Sequence, residues 1–434
     1  MKTQSKLVER QFLLPFVLIT SLFALWGFAN DITNPMVAGF QTIMELSAAK
    51  ASLIQFAFYG GYATMAVPAA LFIRRYSYKS GILLGLSLYA IGAFLFIPAA
   101  ARQSFTFFCF SLYILTFGLA FLETTANPFI LSLGSKDTST RRLNLAQSFN
   151  PMGSLAGMAV ASWVVLPSLL SDQCRDASGK LIFDTLPEVE KAAMRVHDLA
   201  AIRNAYVALG VVVLLVLLVI AVTKMPKTAG SGVHKKGTLS RLWHNVAYRE
   251  GVLAQVFYVG AQIMVWTFII QYADNLGIDK ATAQKYNIIA MGMFLCFRFI
   301  ATGLMKYVNS HKLLAIFGAL AALCTVGTIV FVGPLGLGCL VAISAFMSLM
   351  FPTIYGIALE DVAPEDSQLG AAFLVMAIVG GALLPPLQGS IIDLGTVAGH
   401  PAVNVSFCLP LFCFLAVTLF GWRSTRRRKI EEKE

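Results

Sequence analysis

The apolar positions of this chain gather into twelve long runs, at residues 12–34, 51–73, 81–100, 105–133, 143–170, 201–223, 250–273, 282–305, 312–332, 335–359, 368–392 and 402–422. Crossing a hydrocarbon core of ~30 Å takes about 20 apolar residues in a helix. Each run meets that length, so the pattern predicts twelve membrane-spanning helices and an all-α integral membrane fold. The first run contains Asp31 and lacks an Ala-x-Ala exit, so it reads as a retained helix and not a cleaved signal. The fourth, fifth and tenth carry internal proline and polar residues, which predicts irregular helices there.

Composition agrees with a lipid solvent. Of 434 residues, 57% are hydrophobic and 13% charged, and the mean hydropathy is +0.73. Soluble domains carry roughly a quarter charged residues. The net charge of +11 does not point to nucleic acid, because the basic residues flank apolar runs instead of forming an aromatic-laced patch. Twenty-three Lys and Arg fall on one set of connections and four on the other short ones. Positive residues favour the cytoplasm, so both termini are predicted to be cytoplasmic. The basic segment 224–249 then separates an N-terminal six-helix domain, 1–223, from a C-terminal one, 250–434. A faint echo supports duplication: IRRYSYKSGILLG after the second run resembles LMKYVNSHKLLAIFG after the eighth. Two such halves around a midplane cavity suit a secondary transporter.

Ionisable residues deep in lipid cost at least ~2.5 kcal/mol, so they face protein or water. Three qualify by depth: Asp31, Glu123 and Arg298. Glu123 lies mid-run, five residues before Pro128, whose missing N–H frees a carbonyl. A carboxylate there can accept from sugar hydroxyls. Apolar surroundings disfavour the charged form of a carboxyl, so it also suits a proton-coupling role. Its bland reading is a structural ion pair. Asp31 sits with Asn30, Asn34 and Pro35 in a polar break where the first helix nears its outer end; the bland reading is an exposed helix end. Asn144, Gln147 and Asn150 form a carboxamide stripe in the fifth run, followed by Pro151, Gly153 and Gly157, which permit bending and close packing. Amides donate and accept, which suits sugar hydroxyls, although they also join helices. Tyr258, Gln262 and Trp266 recur every four residues in the seventh run, where an indole can stack on a sugar's C–H face and an amide can meet its hydroxyls. Core packing is the ordinary alternative. Arg298 pairs more readily with a carboxylate or carbonyls than with substrate. The acidic turn EDVAPED reads as a solvated cytoplasmic loop.

Other chemistries lack their signatures. The seven cysteines and five histidines show no metal-ligand spacing, no phosphate-binding loop is present, and no channel filter repeat occurs. No enzyme is predicted. A sensor with a transporter fold would want an appended soluble domain, and a multidrug exporter would have less use for the amide stripe.

The motifs SLFALWGFAND, ASLIQFAFYGGY, FLETTANPFI, RRLNLAQSFN and YVGAQIMVW resemble the L-fucose/proton symporters of the major facilitator superfamily, over nearly the whole chain. The resemblance implies two pseudo-symmetric six-helix domains in a bacterial inner membrane. It also implies uptake of L-fucose or a related monosaccharide with a proton, and no cofactor. Partners are then the sugar, H+ and membrane lipid, with the protein working as a monomer. By resemblance Glu123 serves binding and coupling, and Gln147 and Asn150 match the family's helix 5 amides. The family's Asn-x-Asn-Asp departs here: Asn34 stands at the acidic position, and Asp31, one turn earlier on the same face, is the candidate to take over the role, with coupling by Glu123 alone as the alternative. Pro128, Arg74, Arg75 and Arg298 read as structural or gating positions. Sodium coupling, or glucose, galactose or N-acetylglucosamine as cargo, is the alternative reading.

Overall fold

The computed structural model describes residues 7–46, 53–174, 182–226, 237–278, 280–397 and 399–431. Among the described residues, twelve helices are long and apolar enough to cross a membrane. Helix 1 is Leu13–Ile43, helix 2 Leu53–Arg75, helix 3 Tyr78–Phe94 with its continuation Phe96–Ala101, and helix 4 Phe105–Ser132. Helix 5 is split into Ser139–Gln147 and Phe149–Val160, and helix 6 is Glu188–Val222. Helices 7, 8 and 9 are Val246–Asn275, Lys280–Leu304 and Ser310–Val330. Helix 10 is split into Pro334–Met347 and Met350–Ala358, helix 11 into Ser367–Met376 and Gly380–Ile392, and helix 12 is Cys408–Glu431. A two-residue hairpin, Thr396–Val397 with His400–Pro401, precedes helix 12.

Three expectations are corrected. Helix 1 does not end near residue 34 but continues to Ile43, so Asn30 and Asp31 lie within a helix and not at its frayed end. Helix 6 starts at Glu188, well before residue 201, because its first turns are charged and polar and escape a hydropathy reading. Pro128 does not break helix 4, which runs unbroken through it. In helices 5 and 10 the prolines do coincide with breaks. Pro151 and Pro352 each stand third in the segment after the break. A first-turn residue needs no intrahelical partner for its N–H, so proline is tolerated there.

By contacts the chain forms two compact units: residues 17–126 with 149–227, and residues 1–16 with 127–148 and 228–434. In the former, the ring of Tyr206 stacks on Phe96 at 3.8 Å, and the Tyr89 hydroxyl donates to the Leu25 carbonyl at 3.0 Å. Gly153 and Gly157 bring helix 5 against the backbone of Ala24 and Phe28 on helix 1, the close approach small residues permit within a membrane. Helix 6 turns Val211, Leu215, Leu218 and Val222 outward, as a lipid-facing surface requires. In the latter unit, Asn404 in the short helix Ala402–Ser406 that precedes helix 12 donates to the Tyr272 hydroxyl (2.9 Å) and the Thr328 carbonyl (3.0 Å), tying that segment to helices 7 and 9 beside an aromatic and aliphatic core.

Candidate functional site

Glu123 is 6% exposed on helix 4 and makes no hydrogen bond or ion pair among the described residues. Its unit also holds Asp31, half-buried on helix 1 beside half-buried Asn30. Asn34 keeps its backbone in the same helix; its side chain lies outside the described residues. Helix 2 supplies two tyrosines that reading the sequence missed. Tyr59 lies near Asp31, and Tyr62, one turn further along, lies near Glu123. The signal was the spacing of three in QFAFYGGY, which sets both phenols on one face.

A crevice of about 910 Å³ also lies in this unit, against helices 1, 5 and 6. Alanines 156, 200, 201, 205 and 208 line much of it, and neither carboxylate does. Such walls offer few partners to a polyol.

The amide stripe is present, and each member has a protein partner. Asn150 Nδ2 donates to the Phe23 carbonyl of helix 1 at 3.2 Å. Asn144 Nδ2 donates to Thr353 Oγ1 of helix 10 at 3.1 Å, and Gln147 Nε2 donates to Asn127 Oδ1 of helix 4 at 2.8 Å. Asn127 is the residue before Pro128 in the FLETTANPFI motif. Its place four after Glu123 puts both on one face of helix 4. Asn127 Nδ2 and Asn144 Oδ1 are sealed from solvent and have no hydrogen-bond partner among the described residues, which is uncommon for buried polar atoms.

The helix 7 residues converge on helix 10. Tyr258 is fully buried and donates to the Met347 carbonyl at 3.2 Å. Trp266 Nε1 donates to Ser344 Oγ at 3.2 Å, and its ring meets Phe294 edge-on at 5.0 Å. Gln262, between them, is half-buried. Arg298 is 3% exposed, with its guanidinium 4.5 Å from the centre of the Phe294 ring. It donates from Nε to the Ser348 carbonyl (2.6 Å) and from Nη1 to the Gln147 carbonyl (2.9 Å). Carbonyls hold this cation, and among the described residues no carboxylate pairs with it.

Arg74 is buried at the end of helix 2, while Arg75 is exposed over the Tyr76 ring. In the same turn Lys79 donates to the carbonyls of Ala221 and Thr223, satisfying the end of helix 6. At the equivalent place in the second half, the first turn of helix 9 sets His311 Nε2 2.8 Å from Glu360 Oε2, and Arg428 meets Glu360 Oε1 at 3.1 Å. The acidic turn is therefore not simply solvated. Asp366 is 2% exposed and takes a two-pronged contact from Arg241, 2.6 Å on each arm. Burial alone would raise the Glu360 carboxyl, but the His311 hydrogen bond and the charges of His311, Arg428 and Lys136 hold it below its ordinary range.

Twelve spans and buried polar groups within the bundle define a membrane transporter, and the chain belongs to the Major Facilitator Superfamily, whose family model matches residues 17–386. Within that superfamily its relatives include L-fucose-proton symporters and, at lower identity, glucose/galactose transporters. It is 62% identical to the L-fucose-proton symporter of Haemophilus influenzae, over 97% of this chain and 98% of that one. It is 35% identical to the protein of the same description from Escherichia coli, over 95% and 93%. The crystal structure of the E. coli fucose:proton symporter FucP superposes with a TM-score of 0.87 at 33% identity, covering 96% of this chain and 99% of that one.

Proposed function

We propose that this chain is a secondary active transporter that takes up L-fucose together with a proton by alternating access. The observation that carries the reading is Glu123, a buried carboxyl with no ionic partner among the described residues, in a chain 62% identical to an L-fucose-proton symporter over 97% of its length.

An unpartnered buried carboxylate is costly, so Glu123 takes a proton when its surroundings close and releases it when water returns. Asp31, on helix 1, is the second proton-coupling group, and Tyr59 and Tyr62 keep phenol hydroxyls within electrostatic reach of the two acids. Sugar hydroxyls meet Glu123, Asn30, Asn34, Asn144, Gln147, Asn150 and the unsatisfied amide of Asn127, while Trp266, with Tyr258 and Gln262 on its face, offers a ring to the sugar's C–H side. Binding favours one orientation of the six-helix halves 1–223 and 250–434, joined through 224–249, and their rocking carries sugar and proton across. Pro128, Arg74 and Arg75 serve the moving helices as structural positions. The protein resides in a bacterial inner membrane with both termini in the cytoplasm, as the distribution of basic residues supports, and it works as a monomer among membrane lipids. No organic cofactor is required. Both fucose relatives are described by the proton, which favours H+ over sodium.

Uptake of radiolabelled L-fucose into cells expressing the chain, competed with a panel of sugars at two pH values, tests the reading. L-Fucose competes best and uptake rises at the lower outside pH. Preferential competition by glucose, galactose or N-acetylglucosamine, or a requirement for sodium, would overturn it.

A further inference from the structure

Two carbonyls in this fold lose their helical partner for the same reason. A helical carbonyl accepts from the N–H four residues on. For Gln147 that residue is Pro151, and for Ser348 it is Pro352, neither of which has an N–H. Both helices break at these points. The partner for both is one side chain: Arg298, on helix 8, donates to Gln147 O and Ser348 O at once. Tyr258 takes the adjacent Met347 carbonyl. Around this point the first part of helix 5 lies along the second part of helix 10, with Asn144 bonded to Thr353 and Gly356 against Thr140. Arginine suits the task because its planar fork presents several donors in fixed directions and stays charged. A lysine ammonium, a single point, would span the pair less well.

We propose that Arg298 is a positioning residue that latches helix 5 to helix 10 through the two proline-orphaned carbonyls. The latch rests on the alternating-access reading for its use: helix 5 belongs to the first sequence half and helices 8 and 10 to the second, so the halves cannot separate at this point without releasing it. Released carbonyls then find water, which costs little. The prolines thus make the closed arrangement depend on Arg298, whereas helices with intact N–H groups would close without it.

The test is hydrogen exchange of the full-length protein in lipid nanodiscs, followed by mass spectrometry, on Arg298→Gln with and without Pro151→Ala and Pro352→Ala. Loss of charged hydrogen bonds lowers protection by about tenfold or more. Arg298→Gln is expected to do so at both 140–150 and 346–358 while sparing helix 9. Restoring the two N–H groups in the triple variant returns protection toward wild type. Should Arg298→Gln not fold, recovery of folded protein in the triple variant is the same result. Exchange that rises at one window only, or a triple variant as impaired as the single one, overturns the latch. This readout involves no sugar, so a failure of L-fucose uptake would count against the transport reading and leave the latch result standing.

Discussion

Gln147 Nε2 donates to Asn127 Oδ1 at 2.8 Å, tying the centre of the helix 5 amide stripe to helix 4 one turn beyond Glu123. The bond occupies the Asn127 oxygen, while its nitrogen is buried with no partner among the described residues. A buried donor without an acceptor is unfavourable until something supplies one. A sugar oxygen is the acceptor the transport account provides.

Asn127→Leu removes both halves of that arrangement. It strands the Gln147 amide, a loss of about 1–3 kcal/mol of stability, and it removes the spare donor. Thermal unfolding of the purified variant should be lowered, and L-fucose should stabilise it less than it stabilises wild type. Unchanged sugar stabilisation would show that Asn127 does not meet the substrate.

Glu123→Gln keeps the shape and hydrogen-bonding capacity of the side chain but cannot exchange a proton. Concentrative uptake should collapse to equilibration while counterflow of preloaded sugar persists. Accumulation at wild-type level in this variant would remove Glu123 from the coupling step.

Gly153→Leu should abolish correct folding, because its α-carbon faces the Ala24 backbone of helix 1 without room for a side chain. Overpacking typically costs 1–3 kcal/mol or more. Size-exclusion profiles of the detergent-solubilised variant report the outcome: aggregation is expected, and a monodisperse peak matching wild type would contradict the packing described for helices 1 and 5.

The Glu360 cluster carries a pH dependence of defined sign. Its carboxyl is held low in the fold by His311, Arg428 and Lys136 against the opposing effect of burial. Stability from this group is thus fully present above the unfolded carboxyl value of about 4.3 and is lost as pH falls through the lower folded value. Wild type should melt above Glu360→Gln at neutral pH, and the gap should close in strong acid. A gap that widened on acidification would reverse the assignment.

Much of this was legible in the sequence because a bilayer demands length and apolarity, which hydropathy measures directly. All twelve expected runs coincide with candidate spans. Their ends were less legible: the polar turns of helix 6 from Glu188 and the continuation of helix 1 to Ile43 have no hydropathic signature. Proline was ambiguous for a physical reason. Pro128 lies inside a helix buried among neighbours and is absorbed, whereas Pro151 and Pro352 sit where a buried arginine can take over the freed carbonyls. The stripe of Asn144, Gln147 and Asn150 was visible by spacing, but its partners on helices 1, 4 and 10 come from tertiary packing. The acidic turn misled because charge suggested solvent, and Arg241 and Arg428 are brought to it from distant segments.

The measurement that bears most directly on proton-coupled sugar entry is the pH of a lightly buffered suspension of de-energised cells expressing this chain. A pulse of L-fucose should make the medium more alkaline, in sodium-free buffer as well as with sodium, and should not do so in cells expressing Glu123→Gln. A fucose pulse that is taken up with no pH change, or with one that appears only when sodium is present, would contradict the account.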